Sequence, residues 1–301
     1  MAVKVYENEY KGWNKCVFIT NGDVELVVTT AVGPRILRYA YCGEENVFYE
    51  NPKLLGTSGG DAWVNYGGHR FWHAPEIVGR TYFPDNFPVG YELLDDGVKV
   101  TLVQPENGVE TTMEITLAEK GSEVNVKHRL TNVGRWPIEC AAWAITVMKD
   151  GGYLAVPVVS HDENGLLPDR SVVFWPYARY NDKRLYLGEE LITLEQDVQG
   201  KKFKIGLQNE SGVAAYFVGD NLFIKQHEHD VDAYYPDMNC SFESYTDSNI
   251  LEVESLSPVY GVEPGECIEH NERWTLFRGI KAPRPSDEEK VLAILSEYLG
   301  K

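Results

Sequence analysis

Hydrophobic alternation with a period of two runs through most of this chain, and it leaves few folds open. In Val109-Glu110-Thr111-Thr112-Met113-Glu114-Ile115-Thr116-Leu117 the odd positions are mostly apolar and the even ones polar. Glu123-Val124-Asn125-Val126-Lys127-His128-Arg129-Leu130 alternates again, and so does Lys202-Phe203-Lys204-Ile205-Gly206-Leu207. Successive strand side chains point to opposite faces, so each run reads as a strand with one face on a core. Turn formers separate the runs: Asn21-Gly22-Asp23, Asp95-Asp96-Gly97, Asn107-Gly108, Asp150-Gly151-Gly152 and Pro264-Gly265. Roughly 15 to 18 candidate strands result, enough for two large stacked sheets.

One helix is expected. Pro285-Ser286-Asp287-Glu288-Glu289 offers a cap and an acidic first turn, and Val291, Leu292, Leu295 and Leu299 form the apolar stripe. No linker, low-complexity segment or helical repeat interrupts the chain, so residues 1–301 are expected to form one all-β sandwich domain. Residues 51–88 differ. They are rich in Gly, Pro, Trp and His without sustained alternation, and are expected to form a long functional loop.

Charge and composition narrow the function. The net charge is −18, which repels phosphate backbones and anionic lipid and disfavours nucleic-acid and membrane partners. No apolar segment is long enough to span a bilayer, and the first residues are not a signal segment. The five cysteines are scattered and form no CxxC pair, so a reduced, cytoplasmic protein is expected. Aromatic residues make up 12% of the chain, with 18 Tyr and 7 Trp, amphipathic rings that suit a wet binding surface as well as a core.

Four segments could carry chemistry. In Gly67-Gly68-His69-Arg70-Phe71-Trp72-His73, paired glycines let backbone approach a neighbour or a ligand. Trp72 or Trp63 could stack on the apolar face of a sugar ring while His69, Arg70 and His73 bond its hydroxyls. The bland alternative is a buried loop satisfying its own backbone. In Lys225-Gln226-His227-Glu228-His229, Lys225 and both histidines share a strand face. His-x-His can hold two corners of a metal site, but no third ligand is evident there, so no metal and no cofactor is expected. In Ser241-Phe242-Glu243-Ser244-Tyr245 and Leu251-Glu252-Val253-Glu254, parity puts Glu243 and Tyr245 on one face of their strand. Glu252 and Glu254 likewise share a face. Neighbouring carboxylates repel, so one holds its proton more tightly, a useful property for an acid or base. In His270-Asn271-Glu272-Arg273-Trp274 the polar side chains fall in phase with Ile268 and Leu276, and a structural use is expected. His128 reads as a bonded core histidine and His161 as part of a turn. No phosphate-cradling glycine loop, Gly-x-Ser-x-Gly elbow or zinc-protease helix motif is present.

Taken in order along most of the chain, these residues resemble the galactose mutarotase-like superfamily, in a branch apart from aldose 1-epimerase proper. The resemblance rests on Gly33-Pro34-Arg35-Ile36, on Gly67-Gly68-His69-Arg70 with Trp72 and Ala74-Pro75, on Ala142-Trp143-Ala144-Ile145-Thr146, on Leu251-Glu252-Val253-Glu254, on Pro264-Gly265-Glu266 and on His270-Asn271-Glu272-Arg273-Trp274. It implies a β-supersandwich with a sugar cleft on one concave sheet. It also implies a late-strand glutamate that takes the proton of the anomeric hydroxyl while a histidine protonates the ring oxygen. Glu252 and Glu254 lie on the matching strand, with Glu254 favoured, and His69 corresponds loosely to an early loop histidine. The family's acid histidine belongs near Ala142-Trp143, where this chain has none; His73, His227 or Lys225 could serve instead.

The expected site therefore sets His69, Arg70, Trp72 and His73 opposite Lys225, Glu243, Glu252 and Glu254, with Tyr245 and His227 nearby. Arg35 or Arg70 would assist a substrate that is neutral or carries one acidic group. Three readings follow: a mutarotase- or epimerase-like isomerase of a sugar, a non-catalytic carbohydrate-binding domain, and a sugar lyase or hydrolase on the same architecture.

Overall fold

Alternation in the sequence becomes alternation in burial. Along Val124–Asn132 buried positions fall at every second residue, and Cys267–Arg278 repeats the pattern over twelve residues. The computed structural model describes residues 2–159 and 164–299. Among them, 21 strands form an 11-stranded and a 10-stranded sheet, and all of these strands pair antiparallel. The inner faces of the two sheets meet over one large apolar cluster in which Tyr39, Phe48, Phe223 and Trp274 contact one another edge-on or tilted. The architecture is the expected all-β sandwich.

The helix Glu288–Leu299 lies where its stripe requires. Val291 and Leu295 are buried and Leu292 and Leu299 half-buried, against Ala155, Phe217, Leu222 and Ile224. These strand residues lie on the outer face of the second sheet, so the helix covers a surface that would otherwise be exposed and apolar. A single helical turn at Val78–Thr81 and a turn at Pro236–Asn239 with positive φ at Asp237, Met238 and Asn239 were not legible in the sequence.

One expectation needs correction. Residues 51–88 are not irregular throughout: Gly68–Ala74 is a strand in the middle of the larger sheet, between Arg35–Tyr41 and Ile138–Met148. All seven of its residues are buried. A strand covered on both faces loses its alternation, and with it the signal that marks strands in a sequence. Gly67 and Gly68 both have positive φ, and a Cβ on either would collide with the Tyr49 or Ile36 carbonyl. Their freedom is used for close packing of backbone against backbone.

Candidate functional site

Register decides which side chains share a face. Five adjacent strands of the larger sheet, Gly68–Ala74, Ile138–Met148, Leu251–Leu256, Phe242–Thr246 and Phe203–Leu207, carry the candidate residues. Trp72 pairs with Trp143 and Arg70 with Ile145. Ile145 in turn pairs with Glu254, and Val147 with Glu252. Glu243 pairs with Glu254, and Lys204 with Tyr245. Directly paired residues point to the same side of a sheet. Arg70, Trp72, Trp143, Glu252, Glu254, Glu243, Tyr245 and Lys204 thus rise from one face, the face turned away from the second sheet. They form or underlie a cleft of about 420 Å³ whose walls also include Trp63, Tyr82 and Tyr177.

Aromatic rings surround a charged pair in this cleft. Arg70 Nη1 donates to Glu252 Oε1 at 2.9 Å, and the guanidinium lies 4.4 Å from the Trp72 ring and 5.2 Å from that of Trp63. Trp63 meets Trp72 at 4.8 Å and Tyr82 at 5.5 Å between ring centres. Such stacking fixes the guanidinium plane and leaves its remaining N–H groups directed.

The cleft floor holds two carboxylates and one ammonium. Lys204 Nζ lies 2.6 Å from Glu243 Oε2 and 3.1 Å from Glu254 Oε2, and the Trp143 indole donates to Glu254 Oε2 at 2.9 Å. The ammonium also sits 4.6 Å from the Trp143 ring and 4.7 Å from that of Trp175. Both glutamates are fully buried. Burial raises the Glu243 carboxyl well above the usual range; Lys204 opposes this and Glu254 adds to it. Burial raises Glu254 as well, again against Lys204. For Lys204, burial favours loss of its proton, but Glu254 and Glu243 outweigh it and hold the ammonium charged. One cation faces two buried carboxylates, so each holds a proton more tightly than an exposed glutamate does. Glu243 Oε1 and Glu254 Oε1 have no hydrogen-bond partner among the described residues.

Several expected site residues point elsewhere. His69 pairs with Thr146 and His73 with Ala142, the opposite parity to Arg70 and Trp72. His69 is fully buried between the sheets. His128 Nδ1 donates to the His270 carbonyl at 2.9 Å. That leaves His128 Nε2 to accept from His69 Nε2 at 2.8 Å, and His69 Nδ1 to accept from the Thr146 hydroxyl at 2.9 Å. His73 is buried beside Arg80, whose Nε donates to its Nε2 at 3.3 Å, and burial lowers its pKa to about 4.

Lys225 belongs to the second sheet and reaches inward. Its ammonium meets Glu272 Oε1 at 2.8 Å and the Val253 carbonyl at 3.0 Å, behind the strand that carries Glu252 and Glu254. Glu272 Oε2 accepts from the Trp274 indole at 2.8 Å, and Lys225 draws the Glu272 pKa down against the effect of burial. His227 is also interior and stacks on Phe242; neither of its ring nitrogens has a partner among the described residues. Its pKa is pushed down to about 4 by burial. The neighbouring His229 turns instead to the Ser241 hydroxyl at 2.8 Å.

Arg35 does share the face of Arg70. It is sealed under the loop by Asp85 at 2.8 Å and the Gly67 carbonyl at 3.0 Å. The expected site thus separates into two places: a cleft with Arg70, Trp72, Glu252 and Tyr245 over Glu243 and Glu254, and an interior network with His69, Lys225 and Glu272. Glu252 stands in the cleft wall, whereas Glu254 lies beneath it. His161 falls outside the described residues. Among the described residues, no histidine lines the cleft.

Sequence reasoning missed Lys204 and the indole of Trp143. Alternation did place Lys204 on the non-core face of its strand. Nothing in a single strand distinguishes a lysine held by two buried carboxylates from one facing water.

These features define an all-β sandwich of two large sheets with a cleft on the outer face of the larger one. The sequence matches no protein-family profile, and no curated protein matches it. The similarity lies in structure. A galactose mutarotase-like protein from Lactobacillus casei superposes with a TM-score of 0.57 at 11% identity, over 91% of this chain and 100% of the other. One from Clostridium acetobutylicum gives 0.56 at 9%, over 92% and 99%. The fold also occurs in a TPR-domain containing protein from Parabacteroides distasonis, with a TM-score of 0.60 at 11% identity over 90% of this chain and 49% of that one.

Proposed function

We propose that this protein binds a sugar in the cleft, with one ring face on Trp72 or Trp63 and its hydroxyls bonded by Arg70 and Glu252. The observation that carries the reading is the Arg70–Glu252 pair set among the rings of Trp63, Trp72 and Tyr82. Stacked rings offer apolar area to the C–H face of a pyranose, and the paired charges offer donors and acceptors in fixed directions. Four indoles lie in or next to the cleft, so tryptophan fluorescence reports occupancy. A panel of monosaccharides and disaccharides titrated by fluorescence and calorimetry should give saturable binding in the millimolar range or tighter. Absence of binding across the panel would overturn the reading.

A second reading, interconversion of sugar anomers, draws support from the carboxylates of Glu252, Glu254 and Glu243 gathered at and beneath the cleft. Ring opening needs a base to take the proton of the anomeric hydroxyl and an acid to protonate the ring oxygen as the bond from the anomeric carbon to that oxygen breaks. Reclosure on the other face reverses both transfers. Glu252 lines the cleft together with Glu76 and Asp247, and it serves as the base because Arg70 fixes it beside the aromatic rings. The acid is the Tyr177 phenol in the cleft wall, which burial pushes up to about 12 and so keeps protonated. Nuclear magnetic resonance of a freshly dissolved pure anomer measures the exchange. A rate equal to the buffer control would leave binding without catalysis. Cleavage of an oligosaccharide would instead indicate a lyase or hydrolase.

A further inference from the structure

We infer that the cleft is the inner half of a two-ring site, and that the outer half takes a sugar residue bearing a single anionic group. This deepens the sugar-binding reading and rests on it. The cleft does not end at Tyr177 and Lys202. Both residues also line a second recess of about 740 Å³, so the two spaces share a wall. One pyranose occupies well under half of that combined space, and Tyr177 stands at the junction, its ring 6.4 Å from that of Tyr245.

The chemistry of the second recess is unlike the rest of the molecule. In a chain of net charge −18, five of its ten lining residues are basic: Arg179, Lys183, Arg184, Lys201 and Lys202. Asp182 is already taken by Arg184, whose Nε and Nη2 donate to it at 3.0 and 2.9 Å. The other acid, Asp197, accepts from the Gln199 backbone N–H at 2.8 Å. Among the described residues, Arg179, Lys183, Lys201 and Lys202 make no ion pair. A second observation points to a ligand. Arg184 is 8% exposed, and its Nη1 is buried without a hydrogen-bond partner. A buried guanidinium N–H left unmatched is costly, and a small shift of the side chain toward the recess would let an acceptor oxygen of a ligand satisfy it. The shared chemistry is an oxyanion, a uronate carboxylate or a phosphate, held one ring beyond the sugar in the inner cleft. The molecule's overall acidity repels a polyanion but tolerates one such group at a locally basic spot.

The test compares four probes by calorimetry at low salt: a hexose, a neutral disaccharide, a disaccharide ending in a uronate, and a hexose 6-phosphate. The uronate disaccharide should bind about tenfold more tightly than the neutral one, a preference that shrinks toward unity at high ionic strength. In the Lys183→Glu/Lys201→Glu double variant that preference should fall to about twofold or less. The salt dependence of the unmodified protein tests the same point without any substitution. Equal affinity for the two disaccharides would overturn the anion subsite. A hexose 6-phosphate that binds as tightly as the uronate disaccharide, with no gain from the neutral disaccharide over the hexose, would overturn the two-ring site. If no probe binds, the sugar-binding reading itself fails and this inference with it; neutral binding without anion preference removes the inference alone.

Discussion

Lys204 holds its ammonium 2.6 Å from Glu243 on the neighbouring strand, on the side of the sheet that faces the cleft. Its side chain is 6% exposed and that of Glu243 is fully buried. The same ammonium serves Glu254. Removing it leaves two buried carboxylates without a cation. Lys204→Met should lower stability by about 3–5 kcal/mol, read by urea denaturation at neutral pH. The deficit should shrink in acid, where both carboxylates take protons. A Met variant as stable as the parent would show that the ammonium does not hold the pair.

The floor pair also predicts a pH dependence. The folded-state pKa of Glu243 lies above its unfolded value, so between the two the folded protein binds more protons than the unfolded chain. Stability must then fall as pH rises through that window, starting from the ordinary carboxylate range. Glu243→Gln keeps the shape and removes the titration, so its stability curve should be flatter there. An identical slope in both proteins would contradict a raised Glu243 pKa in the folded state.

The interior histidines act with the opposite sign. Burial lowers His73 and His227 to about 4 and His270 to about 3. Between those values and about 6.5 the unfolded chain binds more protons, so stability is lost as pH falls from about 6.5 toward 4. His227→Gln should reduce the steepness of this acid loss by close to one proton per molecule. Proton uptake on unfolding, measured calorimetrically in buffers of different ionisation heat, is the check.

Metal removal should leave the protein unchanged. His69, His128 and Glu272 do bring ligand atoms within 4.8 Å of one another. Both Glu272 oxygens are already engaged, by Lys225 and by Trp274, and the two facing imidazoles share a proton. A cation there would meet a fixed ammonium. Dialysis against a chelator should shift Tm by less than about 1 °C, and elemental analysis should find no stoichiometric metal. A large drop in Tm restored by zinc would refute this.

The two strand glutamates should respond differently. Glu252→Gln weakens the contact to Arg70 in the cleft wall and should reduce sugar affinity about tenfold, with some loss of stability from the buried guanidinium left without its counter-charge. Glu254→Gln changes the floor, where Trp143 and Lys204 both bond the carboxylate, and should act mainly on stability. If anomer interconversion is catalysed, Glu252→Gln should lower turnover by about two orders of magnitude or more. Equal effects of the two substitutions on affinity would remove the distinction between wall and floor.

Residue order alone determined most of the strands, the terminal helix and the pairing of like faces within each strand. Alternation is a local property, and Val109–Leu117, Val124–Asn132 and Cys267–Arg278 carry it openly. It placed Glu252 with Glu254, Glu243 with Tyr245, and His128, His270 and Glu272 among apolar neighbours. The strand Gly68–Ala74 was hidden because both its faces are covered. Without its register, His69, Arg70, Trp72 and His73 looked like one cluster. Tertiary structure divided them, since neighbours along a strand face opposite ways: Arg70 and Trp72 meet the cleft, His69 and His73 the interior. It likewise sent Lys225 inward to Glu272 and assigned the cleft's cation to Lys204. Which of two lysines finds buried carboxylates depends on which strands become neighbours and which face of each sheet turns inward, and both are settled by contacts between residues far apart in the chain.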